Sequence, residues 1–145
     1  MPFRPLRLLI FYDDARGYCG RVVPTMKTLL EQRAFLVDTH RVGDGPIDVS
    51  PYKGFIFGSP CFGLGIRGVG PTPALAEAVA GLGDLEGRKA AVYCVHEVRP
   101  GTTLDRMKGM IFEQGMELVA AHAFWVLKPH EGEHILPTEC MVRVR

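Results

Sequence analysis

Three nearly continuous apolar runs constrain this chain more than anything else in it: residues 6–12 (LRLLIFY), 52–57 (YKGFIF) and 89–95 (KAAVYCV). A strand with one wet face alternates apolar and polar side chains. These runs do not, which marks strands covered on both sides, as in a parallel sheet. Two weaker runs, Phe35-Leu36-Val37 and part of residues 118–127, extend the series to five.

Helical patterns lie between the runs. Val22, Val23, Met26, Leu29 and Leu30 recur at helical spacing, with Pro24 tolerated in the first turn, so a helix is expected over 22–33. Thr72-Pro73 reads as an N-cap followed by proline at the first helical position, opening a short helix with Leu75, Ala76 and Val79 inward and Gly81 after it. Thr102 with Asp105 three residues on resembles a capping box, opening a helix with an inward stripe of Leu104, Met107, Ile111 and Phe112 that ends at Gly115. Gly43, Gly45, Pro46 and Pro51 leave room only for a turn between the second and third strands.

After the fifth strand, Pro129, Gly132 and Pro137 interrupt regular structure. The last helix is therefore expected to be absent, with 127–145 an irregular tail that holds at most a terminal strand at 141–144. Strands alternating with helices predict one α/β domain over 1–145, a five-stranded parallel sheet in a three-layer sandwich with right-handed crossovers.

Composition narrows the functions open to such a domain. A length of 145 residues suits one domain. Lys and Arg total 17 against 16 Asp and Glu, a net charge of +1, which gives no overall attraction to nucleic acid or anionic membranes. With 47% hydrophobic and 23% charged residues the chain has the makings of a core. No run approaches the roughly 20 apolar residues of a spanning helix. Residues 8–12 are too short for a secretory h-region, so a cytoplasmic location is expected. Cys19, Cys61, Cys94 and Cys140 have no C-x-x-C spacing and are expected to be reduced thiols. The sequence contains no G-x-S-x-G, H-E-x-x-H or G-x-x-x-x-G-K-[ST] motif.

In open α/β sheets ligands bind beyond the carboxyl ends of the strands, where the strand order reverses. Three segments are expected to meet there: 13–21, 59–68 and 96–102. The glycine-containing loop after the first strand, the run FGSPCFG at 57–63 and the run LEGRKA at 85–90 resemble the flavodoxin-like family, over about residues 6–125. The most specific of these is similar to the family's Gly-Ser-Pro-x-Tyr/Phe-Gly, whose loop lies beside the flavin ring in FMN-binding members. The resemblance implies a flavodoxin fold with strand order 2-1-3-4-5 and FMN as cofactor. Its ligands would come from Arg16, Gly17, Tyr18, Cys19, Gly20 and Arg21 in the first segment, Ser59, Pro60, Cys61, Phe62 and Gly63 in the second, and His96 in the third.

Flavodoxins hold the FMN phosphate with a Ser/Thr-rich loop, in which hydroxyls and backbone N–H groups together satisfy a dianion. The corresponding stretch here, DDARGYCG at 13–20, has neither Ser nor Thr. Asp13 and Asp14 repel phosphate and also read as a solvated turn ending the strand, while Arg16, Arg21 and the amides of 17–20 favour an anion. Phe62 is the better candidate for stacking on a flavin, and Tyr12 reads as core.

Three functions follow. The first is FMN-dependent electron transfer to a partner protein. The second is a flavin-free interaction or scaffold subunit. The third is a small FMN-dependent reductase, with Cys61 or His96 as thiol or proton donor. A missing last helix leaves one sheet face open unless the tail or another chain covers it, so a homo-oligomer or stable partner complex is expected.

Overall fold

The computed structural model describes residues 6–61, 71–97, 101–129, 131–133 and 135–137. Strands β1 (Arg7–Tyr12), β2 (Leu36–Arg41), β3 (Gly54–Pro60), β4 (Lys89–His96) and β5 (Glu117–Trp125) form one parallel sheet in the order β2-β1-β3-β4-β5. Three helices connect them: α1 (Val23–Gln32) after β1, α2 (Pro73–Ala80) after β3 and α3 (Thr103–Glu113) after β4. The strand order 2-1-3-4-5 is the one expected of a flavodoxin-like fold.

The apolar runs are continuous because both parities of each central strand are covered. Leu8, Ile10, Ile56, Ala91 and Tyr93 point to one face and pack with Val22, Met26 and Leu30 of the α1 layer. Their neighbours Leu9, Phe11, Phe55, Phe57 and Val92 point to the other, against Leu75 and Val79 of α2 and Met107 and Ile111 of α3. Every residue of β3 is buried. Residues 42–53 connect β2 to β3 without helix or strand.

Some boundaries and one helix face depart from expectation. β2 runs six residues, not three, because an edge strand needs an apolar face on one side only, and Val37 alone is fully enclosed. β3 continues through Gly58-Ser59-Pro60, where proline is tolerated at the strand end. In α3 the buried stripe is Thr103, Met107 and Ile111, four residues apart, whereas Phe112, one position further round the helix, is 70% exposed. Thr102 forms no side-chain cap, so the expected capping box is absent. The cap of α2 is formed as expected, with Thr72 Oγ1 accepting from the Leu75 amide at 3.2 Å.

The tail contributes to the face for which another chain was expected. Leu136 is fully buried in the α1-side core beside Phe124, and Val126 packs against the same cluster. The terminal strand expected at 141–144 lies outside the described residues. Among the described residues, no helix is long and apolar enough to cross a membrane.

Candidate functional site at the carboxyl edge of the sheet

From β1 the chain crosses to β2 on one side, then returns to lay β3 on the other side of β1. The segments leaving β1 and β3 therefore diverge to opposite faces and open a crevice between them. The Asp13 amide donates to the Gly58 carbonyl at 3.0 Å, the last rung before the divergence. Two 3-10 turns, Ala15–Gly17 and Cys19–Arg21, then lead into α1. Arg16 and Gly17 both adopt left-handed backbone, with φ of 62° and 71°, a conformation open to glycine and uncommon for arginine.

Hydrogen bonds tie the segments to one another. Asp13 Oδ1 accepts from the Ala15 amide at 3.0 Å, and its Oδ2 accepts from the Thr72 hydroxyl. The Thr72 amide donates to Ser59 Oγ at 3.0 Å, and that hydroxyl donates to the Pro60 carbonyl at 2.8 Å. The start of α2, the end of β3 and the loop after β1 are thus joined through one threonine. Asp14 turns inward on its own loop, its Oδ1 accepting from the Gly20 amide at 2.8 Å.

On the β4 side, Glu97 gathers the first and third segments. Its Oε1 accepts from the Tyr18 hydroxyl at 2.5 Å and pairs with Arg16 Nη1 at 2.6 Å, while its carbonyl accepts from Trp125 Nε1 at 3.1 Å. The Tyr18 hydroxyl, and then the Arg16 guanidinium, hold the Glu97 carboxyl below its usual range. Arg21 lies over the Tyr18 ring, 5.8 Å from its centroid.

Below this layer Tyr93 crosses the sheet. Its ring covers Gly58, its partner in the β3–β4 register, and its hydroxyl donates to the Cys19 carbonyl at 3.4 Å. Cys19 itself is fully enclosed, and burial pushes its thiol up. Cys61 and Cys94 meet on the α2/α3 face. Cys94 draws the Cys61 thiol down, and burial opposes this. The same contact, with burial behind it, pushes the Cys94 thiol up. Cys61 is therefore the more easily ionised of the pair.

Of the twelve expected site residues, the structure brings Arg16, Gly17, Tyr18, Gly20 and Arg21 together in the loop after β1, with Cys19 beneath them. Ser59 and Pro60 are buried at the end of β3, Cys61 is half-buried just beyond, and His96 ends β4 with its carbonyl accepting from the Val126 amide at 2.9 Å. Phe62 and Gly63 lie outside the described residues. Three participants were missed: Thr72, Glu97 and Trp125. In sequence Thr72 has the signature of a helix cap and nothing more. Glu97 is the sole acidic residue of 96–102, a signal that could have paired it with the arginines of 13–21. A separate depression of 420 Å³, lined by residues such as Gly83, Glu86, Phe112 and Gln114, lies by the carboxyl ends of α2 and α3, away from these segments.

No protein-family model matches the sequence, and no curated protein matches it. Solved structures do resemble it in fold. The two-electron reduced flavodoxin of Megasphaera elsdenii superposes with a TM-score of 0.71 at 17% identity, over 81% of this chain and 85% of that one. Oxidised flavodoxin 1 of Bacillus cereus gives 0.68 at 18% identity, over 88% and 94%. The flavodoxin of Fusobacterium nucleatum bound to flavin mononucleotide gives 0.62 at 13% identity, over 78% and 68%. The architecture is that of the flavodoxins. At these identities the likeness extends to the fold, and the site must be argued from its own residues.

Proposed function

We propose that this chain is a flavodoxin-type electron-transfer protein that takes FMN at the carboxyl edge of the sheet and passes electrons to a partner protein. The observation that carries this reading is the convergence of three segments, from β1, β3 and β4, on the switch-point crevice of a fold that holds FMN in the Fusobacterium protein.

The residues fit the ring of such a cofactor better than its phosphate. Tyr18 and Trp125 place aromatic surface at the edge of the site, and the half-buried Cys61 thiol stands at the end of β3. At the phosphate end the Gly20 amide is already satisfied by Asp14, and Arg16 is paired with Glu97. When bound, FMN would supply the electron-accepting ring. The chain's own part is to orient that ring between the segments and to exclude water with β3 and β4 packed beneath.

A second reading, a flavin-free interaction subunit, is favoured by one observation: the carboxylates of Asp14 and Glu97 take the Gly20 amide, the Tyr18 hydroxyl and the Arg16 guanidinium, donors that a phosphate would need. The two readings separate on one experiment. Purified protein is examined by absorption spectroscopy, then titrated with FMN while flavin and Trp125 fluorescence are followed. Co-purified flavin, or saturable quenching, supports the electron carrier. Neither flavin absorbance nor quenching would leave the scaffold.

A further inference from the structure

We propose that Asp14 is a built-in occupant of the anion position, so that the site accepts a phosphate-free flavin of the riboflavin class as readily as FMN. This inference rests on the flavin reading above and asks which flavin the site selects.

A loop that binds phosphate must present unsatisfied N–H or O–H donors to it. Residues 13–21 contribute no hydroxyl from Ser or Thr. Asp14 Oδ1 takes the Gly20 amide at 2.8 Å, where the loop approaches α1. The placement is specific. A Cβ on residue 20 would stand 2.6 Å from Asp14 Oδ1 and 3.0 Å from its carboxyl carbon, so the carboxylate lies directly against the Gly20 backbone and needs a residue without a side chain there. An incoming phosphate and the Asp14 carboxylate compete for that donor.

The charges around it point the same way. Asp13 is engaged with the Ala15 amide and the Thr72 hydroxyl, which hold its carboxylate beside the loop. Arg16 is neutralised by Glu97 at 2.6 Å. Among the described residues of these segments, Arg16 is taken up by Glu97 and Arg21 lies over the Tyr18 ring, so neither guanidinium pairs with Asp14. A dianionic phosphate seeking the Gly20 amide would lie against the Asp14 carboxylate, a like-charge contact whose cost its hydrogen bonds must overcome. A ribityl chain ending in a hydroxyl meets no such repulsion, and its hydroxyl can donate to a carboxylate. A fixed internal carboxylate at the Gly20 amide removes the preference for a phosphate there.

The test compares riboflavin and FMN as probes, by quenching of flavin fluorescence, on wild type, Asp14→Ala and Asp14→Asn. Asparagine keeps an acceptor for the Gly20 amide and loses the charge, which guards against collapse of the loop in the alanine variant. The wild type should bind the two flavins within about threefold of each other, and both variants should shift the ratio toward FMN by about tenfold or more. Wild-type protein that prefers FMN over riboflavin by about a hundredfold, or a ratio unmoved in both variants, overturns the role of Asp14 while leaving the flavin reading standing. Failure to bind either flavin overturns the flavin reading itself, and the selectivity argument with it.

Discussion

Gly58→Ala would put a methyl carbon 2.1 Å from Cζ of Tyr93 and 2.4 Å from both its Cε1 and its hydroxyl oxygen. Carbon atoms pack at about 3.5–4.0 Å, so the ring or the strand must yield by about 1.5 Å. The ring has little freedom to do so. It is fully buried, meets Phe124 edge-on at 5.7 Å and donates to the Cys19 carbonyl. The expected loss is about 3 kcal/mol, the upper part of the range for overpacking a core. At about 2–4 °C per kcal/mol for a chain of this size, that is a fall in Tm of about 10 °C. Urea unfolding followed by the fluorescence of Trp125, the single tryptophan, reads the change directly. Gly109→Ala serves as the control of opposite sign, because an alanine Cβ on this exposed α3 position meets nothing within 4 Å, and it should gain about 0.5–1 kcal/mol. Adding Tyr93→Ala should remove at least about half of the Gly58→Ala penalty in a double-mutant cycle. A Gly58→Ala protein within about 0.5 kcal/mol of wild type would refute the placement of Tyr93 across β3.

Other substitutions probe the site and its surroundings. Thr72→Ala removes the α2 cap and the link to Asp13 and should cost about 1–2 kcal/mol, with Thr72→Ser keeping most of it; equal losses for both would mean the hydroxyl does not matter. The Tyr52 hydroxyl at 2.7 Å and then Arg7 at 2.8 Å hold the Asp38 carboxyl below its usual range. That stabilisation is fully present above the ordinary carboxylate range and is lost as pH falls through the lowered value. Wild type should therefore exceed Asp38→Asn by about 0.5–1 kcal/mol near neutrality, the pair being half-exposed, and a gap that does not narrow in acid counts against the account. Among Cys19, Cys61 and Cys94, Cys61 should alkylate first with iodoacetamide, mapped by mass spectrometry; faster labelling of either buried thiol would contradict the geometry.

Much of the sheet was legible because burial on both faces leaves a one-dimensional trace: LLIFY, GFIF and AAVYCV are apolar at every step. The edge strand was less so, since Asp38, Thr39, His40 and Arg41 look like loop residues until the strand is known to have an outward face. Phe112 misled because hydrophobicity alone placed it inward, whereas the spacing of Thr103, Met107 and Ile111 sets the buried side. The absence of Ser and Thr from 13–21 was readable as a charge argument. The bond from Asp14 to the Gly20 amide was not, because a carboxylate next to a glycine-bearing turn can equally face water. Glu97 pairs with Arg16 across 81 positions, a contact that exists only once five strands have been ordered. Leu136 is similar: an Ile-Leu pair ahead of Pro137 shows no periodicity, and only the packed α1 side of the sheet makes the leucine a core residue.

Ser59 and Thr72 touch, although twelve residues intervene between them. The excursion from β3 to α2 therefore departs and arrives at one point, clasped there by a serine and a threonine that are both buried. Doubling the length of a segment closed in this way costs only about 0.6 kcal/mol of closure entropy. The grip between β3 and α2 is therefore set by the clasp itself and not by the length of chain that runs between its two halves.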